Sequence, residues 1–306
     1  MKKLLSIIYI SLVSIVSLYA QQVPLYSQYF NNDYIINPAI AGTVKDYTPL
    51  RLSVHKQWVG IEESPSTQVL SIHHQLSNEV MGVGGLIFHD SFGPTRQFGI
   101  NLTYSYLLNI NDDIKLSMGL SAVMMQYVIK LSQDDFYTYE PILNRERTSI
   151  TVPDAHLGFY AYDKDWWAGL SIMHLLQSRL KITTTWMDNE NKMVRHYFLM
   201  GGYKFSFPTA YLLEIEPSAL VKFTEVTPMQ IDFNVRLIYN KDFWTGISVR
   251  PGDSFVFLIG FTFKEYHFGM SYDFTFSDLS NHTIGSQELV FGWNIGDSRI
   301  GTQRYF

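Results

Sequence analysis

No cysteine occurs among the 306 residues, which excludes disulfides, thiolate metal sites and a lipidated cysteine, and fits a cell-envelope protein that folds without covalent staples. Long hydrophobic runs are missing beyond residue 20, so any crossing of a membrane by the rest of the chain must be made with strands rather than helices. A basic run is absent too, and the net charge is -5. Nucleic acid, whose phosphates call for clustered Lys and Arg, is therefore not an expected partner. Aromatics, by contrast, are plentiful: Phe, Tyr and Trp make up 15% of the chain, a share that suits the girdles and outward faces of strands in a bilayer.

The single apolar stretch opens the chain. Lys2 and Lys3 precede "LLSIIYISLVSIVSL", and Ala20 stands at a fitting cleavage position before Gln21. About 15 apolar residues fall short of the ~20 that a spanning helix needs. Residues 1–20 are thus expected to be a secretory signal peptide that is removed on export.

Further on, alternation dominates. In "YHFGMSYDFTF" Tyr266, Phe268, Met270, Tyr272, Phe274 and Phe276 share one parity, while His267, Gly269, Ser271, Asp273 and Thr275 share the other. Successive side chains of a strand point to opposite faces, so this segment sets an aromatic wall against a small, polar and acidic one. "MQIDFNVRLIYN" repeats the pattern, with Ile231, Phe233, Val235, Leu237 and Tyr239 opposite Gln230, Asp232, Asn234 and Arg236. A charge at the lipid midplane costs ~2–4 kcal/mol, which is the pressure that would sort charge so strictly to one parity.

Such runs predict about fourteen strands, near residues 50–58, 67–76, 80–89, 95–107, 113–129, 153–162, 165–176, 193–206, 211–223, 229–239, 243–250, 254–263, 265–276 and 286–296. Connections after even-numbered strands, such as "NINDD", "DK" and "KE", are short and turn-forming. Two after odd-numbered strands are long, "LSQDDFYTYEPILNRERTSI" and "QSRLKITTTWMDNENK". The expected fold is all-β: a transmembrane antiparallel barrel of outer-membrane type, with short turns in the periplasm. Residues 21–49 would form an N-terminal periplasmic or plug segment, and residues 50–306 the barrel.

Catalytic and metal chemistry find little support. His55, His156, His174, His196 and His267 fall on different strands without metal-ligand spacing, and adjacent His73 and His74 face opposite sides, so no metal site is expected. No G-x-S-x-G element occurs; neither an enzyme nor a cofactor is expected. The acidic stretches "DDFYTYE" and "DNENK" lack the glycine and spacing of an EF-hand loop. Glu214, Glu216, Lys222, Asp232, Arg236 and Asp273 lie on the polar parity and are expected to face the lumen.

The segment ahead of strand one, "PLYSQYFNNDYIINPAIAGT", breaks into turns at its Asn, Pro and Gly residues and offers several rings to bury. Its Ser27, Gln28, Tyr29, Asn37, Pro38, Ala41 and Gly42 resemble the "SQY…NP…AG" arrangement of the PorP/SprF family, and Tyr26, Ser27, Gln28, Tyr29, Asn37, Pro38 and Gly42 are expected to plug the barrel or bind a partner. "KQWVGIEESPST", "GVGGLIFHDSFGPTRQFGINLTYSYLL" and "YDFTFSDLSNHTIGSQELVFGW" are similar to further family signatures, whereas "TQRYF" lacks the Cys-Pro common at the family's end. The resemblance implies a non-enzymatic outer-membrane component of the Bacteroidetes type IX secretion and gliding machinery. It further implies partners: a secreted cargo such as an adhesin with a type IX C-terminal domain, a periplasmic lipoprotein ring or a peptidoglycan-binding OmpA-like protein, and outer-membrane lipid. The other reading is a FadL-like or porin-like channel for small solutes, with the same N-terminal segment as a hatch.

Overall fold

The computed structural model describes residues 26–77, 79–130, 148–180, 192–207, 212–276 and 278–296. The expected signal peptide, "DDFYTYE", most of "DNENK" and the terminal "RYF" lie outside the described residues.

Fourteen strands form one antiparallel sheet: β1 Tyr47–Lys56, β2 Ser66–Gln75, β3 Met81–Phe92, β4 Thr95–Asn109, β5 Lys115–Ile129, β6 Thr148–Tyr162, β7 Trp166–Met173, β8 in two pieces His196–Tyr203 and Phe205–Phe207, β9 Leu213–Thr224, β10 Gln230–Tyr239, β11 Phe243–Arg250, β12 Ser254–Phe263, β13 Tyr266–Thr275 and β14 Ser286–Gly296. Both pieces of β8 keep one register against β9, from Gly202↔Ser218 to Phe205↔Ile215, so Lys204 interrupts the strand without ending it. Each strand pairs with the next in sequence, and β14 returns to β1 from Tyr47↔Gly296 to Lys56↔Gln287. The sheet is thereby a closed barrel, in which every strand has two neighbours.

Burial runs opposite to that of a soluble protein. On β4 the apolar Leu102 is 67% exposed while Asn101, Thr103 and Ser105 are buried. The same inversion holds on β12, with Phe257, Ile259 and Phe261 outside and Val256 and Leu258 inside, and on β13, with Phe268 and Met270 outside and His267 and Ser271 inside. Exposed aliphatics and rings around a barrel with a polar interior are stable when the outer medium is hydrocarbon.

Several strand ends depart from expectation: β6 begins at Thr148, five residues before the expected 153, and β1 begins at Tyr47, within the segment expected to precede the barrel. β3 extends to Phe92, three residues past the expected 89, because Asp90 faces inward and accepts the Thr67 hydroxyl at 2.6 Å. β7 stops at Met173, three residues earlier than the pattern implies, because His174 takes a positive φ of 58° and turns toward β6. One rim carries the tight connections 76–80, 110–114, 163–165, 240–242 and 264–265; the other carries 57–65, 130–147, 174–195 and 276–285 together with the short 93–94, 225–229 and 251–253. The rim on the β1 N-terminal side carries no long connection among the described residues and is the one expected to be periplasmic by the usual topology of such barrels.

Candidate functional site

The lumen is occupied by the chain's own N-terminal segment. Residues 26–43 fold as three short 3-10 turns, Tyr29–Asn31, Asp33–Ile35 and Pro38–Ile40. Asn37 starts the third: its Oδ1 accepts from Ala39 N at 3.0 Å, and Pro38 at the first helical position has no N–H to leave unsatisfied. Tyr26, Tyr29, Phe30, Tyr34, Ile36 and Ile40 are buried in one cluster with inward-facing Val69, Leu86, Tyr160, Trp167, Phe198, Trp244 and Leu258.

The polar groups of this plug find hydrogen-bond partners on eight of the fourteen strands. Toward the long-connection rim, Ser27 N and Gln28 N donate to Glu288 Oε2 at 2.8 and 3.3 Å, Gln28 Nε2 donates to the Glu288 carbonyl at 3.0 Å, and Ser27 Oγ donates to Asp273 Oδ2 at 2.7 Å. Lower down, Tyr29 meets Ser218 Oγ at 2.8 Å, Asn32 pairs with Ser53 and Ser71, and Tyr34 donates to Thr103 Oγ1 at 2.6 Å. Nearest the short turns, Asn37 Nδ2 donates to the Phe159 carbonyl at 3.0 Å, Ser171 and Ser105 donate to the carbonyls of Ile36 and Ala41, and Gly42 N donates to His73 Nδ1 at 3.3 Å. The segment thus runs the depth of the lumen, from Tyr26 near the outer rim to Gly42 near the periplasmic one.

Bare patches of wall admit it. Gly119 and Gly158 face each other across β5 and β6, and the Pro38–Ile40 turn lies on them. A Cβ at Gly158 would overlap the Asn37 amide and lie 2.9 Å from Pro38 Cδ. Gly42 has φ +75°, and a Cβ there would overlap Gly82; glycine alone meets both demands.

Of the charged residues expected in the lumen, Glu216, Lys222, Asp232, Arg236 and Asp273 are buried and Glu214 is half-buried. Glu216 and Arg236 stand opposite each other on β9 and β10 and bond at 2.8 Å. Arg236 also lies 4.4 Å over the Phe30 ring, which Trp244 meets edge-on at 5.3 Å. Sequence reasoning missed Arg250 and Glu288. Arg250 bonds Asp232 at 2.7 Å and Asp253 at 3.0 Å and lies 3.9 Å from Asp273, so the plug's Ser27 ends a chain of charges through Asp273. Both residues were within reach of the parity rule: Arg250 shares the inward parity of Ser248, and Glu288 opposes Leu289 and Phe291.

The histidines also need correction. His156 on β6, His174 just after β7 and His196 at the start of β8 are far apart in sequence yet gather in space, with ring centres 5.7 Å (His156–His174) and 5.6 Å (His174–His196) apart. Antiparallel pairing of β6 with β7 and β7 with β8 brings them side by side, which linear spacing does not reveal. They border a cavity of about 90 Å³ between the plug and the outer rim, lined also by Tyr26, Ile36, Val69, Leu86, Met125 and Phe198.

Solved structures with a similar fold include a Pseudomonas aeruginosa FadL homologue (11% identity, 84% of this chain and 91% of that chain, TM-score 0.48). Others are the TodX deltaS2S3 mutant monoaromatic hydrocarbon channel (9%, 84% and 91%, TM-score 0.49) and the KdgM porin (12%, 81% and 99%, TM-score 0.39). No curated protein matches the chain. The profile of the type IX secretion system membrane protein PorP/SprF matches residues 18–293. A closed barrel with an apolar exterior, matched by that profile over nearly its whole length, is an outer-membrane protein, and the chain belongs to the PorP/SprF family of type IX secretion membrane components.

Proposed function

We propose that this protein is a non-enzymatic, lumen-plugged scaffold of the type IX machinery that supports secretion or surface anchoring of cargo such as an adhesin with a type IX C-terminal domain. The observation that carries this reading is the plug: residues 26–43 bond to β1, β2, β4, β6, β7, β9, β13 and β14. An interior so filled suits a rigid platform better than a conduit. Tyr26, Ser27, Gln28, Tyr29, Asn37, Pro38 and Gly42 are then plug residues first, and any partner reaches them from a barrel mouth. The long connections on the outer rim are the proposed cargo contacts. The periplasmic rim is the proposed seat of a lipoprotein ring or an OmpA-like protein. Deleting residues 26–42 should leave a heat-modifiable barrel in the outer membrane and strip cargo from the cell surface; normal surface cargo with an assembled barrel would overturn the plug's part in this. Replacing residues 131–149 or 177–192 by short turns tests the outer contacts in the same assay.

One feature favours a second reading, a FadL-like channel with the plug as hatch: the cavity above the plug is lined largely by apolar side chains, as a binding pocket for a small apolar solute would be. Planar-bilayer conductance and solute uptake into liposomes separate the two, since a scaffold is silent in both.

A further inference from the structure

The connection between β7 and β8 is rooted inside the barrel. Leu180 and Met193 are buried against inward-facing Val123, Met125, Tyr127 and Val152. Around these roots stand one carboxylate and three imidazoles. Asp154 and His156 are two apart on β6 and share its inner face; His174 follows the last residue of β7; His196 opens β8 opposite Met173. One ligating atom from each of Asp154, His156 and His174 can be chosen so that all three lie within 4.8 Å of one another.

Hydrogen bonding prepares the group for a cation. Asp154 Oδ1 accepts from Ala155 N at 2.8 Å and Leu176 N at 3.1 Å, which holds the carboxylate so that Oδ2 meets His174 Nδ1 at 2.6 Å. His196 Nδ1 lies 2.9 Å from the Val194 carbonyl; a carbonyl only accepts, so in the neutral ring Nδ1 carries the proton and Nε2 the lone pair. His156 is 7% exposed, and its buried Nε2 has no hydrogen-bond partner among the described residues. A buried ring nitrogen left without a partner is costly, and a metal ion is one group that satisfies it. Three ligands ~2.1 Å from a tetrahedral ion stand roughly 3.4 Å apart, so closing the set asks for side-chain shifts on the order of 1 Å.

We propose that Asp154, His156 and His174, with His196 adjoining as a fourth ligand, bind a divalent cation of the zinc class and so pin both roots of the β7–β8 connection to β6. Imidazole-rich ligation with one carboxylate selects Zn²⁺, Cu²⁺ or Ni²⁺ over Mg²⁺ and Ca²⁺. The inference is independent of the scaffold reading, since the site would exist in a channel as well.

The test uses the mature full-length chain in detergent, stripped with EDTA and titrated with Zn²⁺, with Co²⁺ as a spectroscopic probe. A single saturable equivalent and the visible d–d bands of histidine-ligated Co²⁺ are expected. His156→Ala and His174→Ala should abolish the bands, and Asp154→Asn, which removes the anionic ligand, should weaken affinity by more than the ~10–100-fold that loss of an outer-shell partner costs. His89→Ala and His282→Ala, both at exposed positions, should change nothing. Should either alanine variant fail the heat-modifiable mobility test of a folded barrel, His156→Gln supplies the comparison with the ring's bulk partly kept. Zn²⁺ should also slow protease cleavage between His174 and His196. No saturable uptake, uptake indifferent to these substitutions, or Ca²⁺ binding as tight as Zn²⁺ would overturn the site; unchanged cleavage in the loaded protein would overturn the pinning.

Discussion

Arg250 meets Asp232 and Asp253 directly and has Asp273 close by, with only 7% of its side chain exposed. Such a group adds little net stability when complete, because desolvation offsets attraction, yet removing one partner strands the others. Arg250→Met should therefore destabilise the barrel by ~3–5 kcal/mol in urea unfolding from micelles, and adding Asp232→Leu should return part of that loss. Tyr34 gives a pH signature. Burial pushes its phenol up to about 12, against a smaller lowering by the hydrogen bond to Thr103. A folded-state pKa above the unfolded one means that the contribution is complete below about 10 and fades as pH rises toward 12. Loosening of the plug, read as tyrosinate absorbance together with protease access to residues 26–43, is expected in that window, and Tyr34→Phe should flatten its Tyr34 component. At Gly158 the wall touches the plug's backbone turn directly; Gly158→Val should leave the strands paired but dislodge residues 37–40, seen as new conductance in planar bilayers.

Strands were the most readable elements, and the reason is the bilayer itself. Hydrocarbon on one face penalises any misplaced charge, so parity in β4, β10 and β13 declares itself without help from tertiary contacts. The penalty predicts a graded outcome: Leu102→Arg, at the centre of β4 and 67% exposed, should cost ~2–4 kcal/mol, against ~0–1 kcal/mol for Tyr239→Arg at the end of β10, measured by unfolding into denaturant from liposomes. Strand ends were less readable where a polar residue has an inward use, as Asp90 does with Thr67 and His174 with Asp154. Least readable was the histidine cluster. Its members meet through the β6–β7–β8 ladder, and no local spacing encodes which strands become neighbours at which height. The plug sits between these cases: its turn residues and rings announced an irregular segment with matter to bury, while its bonding partners, such as Glu288 and Thr103, lie on strands remote in sequence.

At the scale of the whole molecule, the barrel has polar groups inside and apolar ones outside, and the plug satisfies many of the former. A mature protein lacking residues 26–42 should conduct ions where the intact one is silent, and conductance of the intact barrel equal to that of the deletion would count against a filled lumen. The position of the plug in the sequence has a topological consequence. It precedes β1, and the β1–β14 seam is the one ladder that joins the two ends of the sheet. Either the seam zips up around a cork already seated, or the cork is drawn afterwards through a finished mouth. Since Ser27 and Gln28 bond Glu288 on β14 and Asn32 bonds Ser53 on β1, the cork in its final place bridges the two lips of that seam.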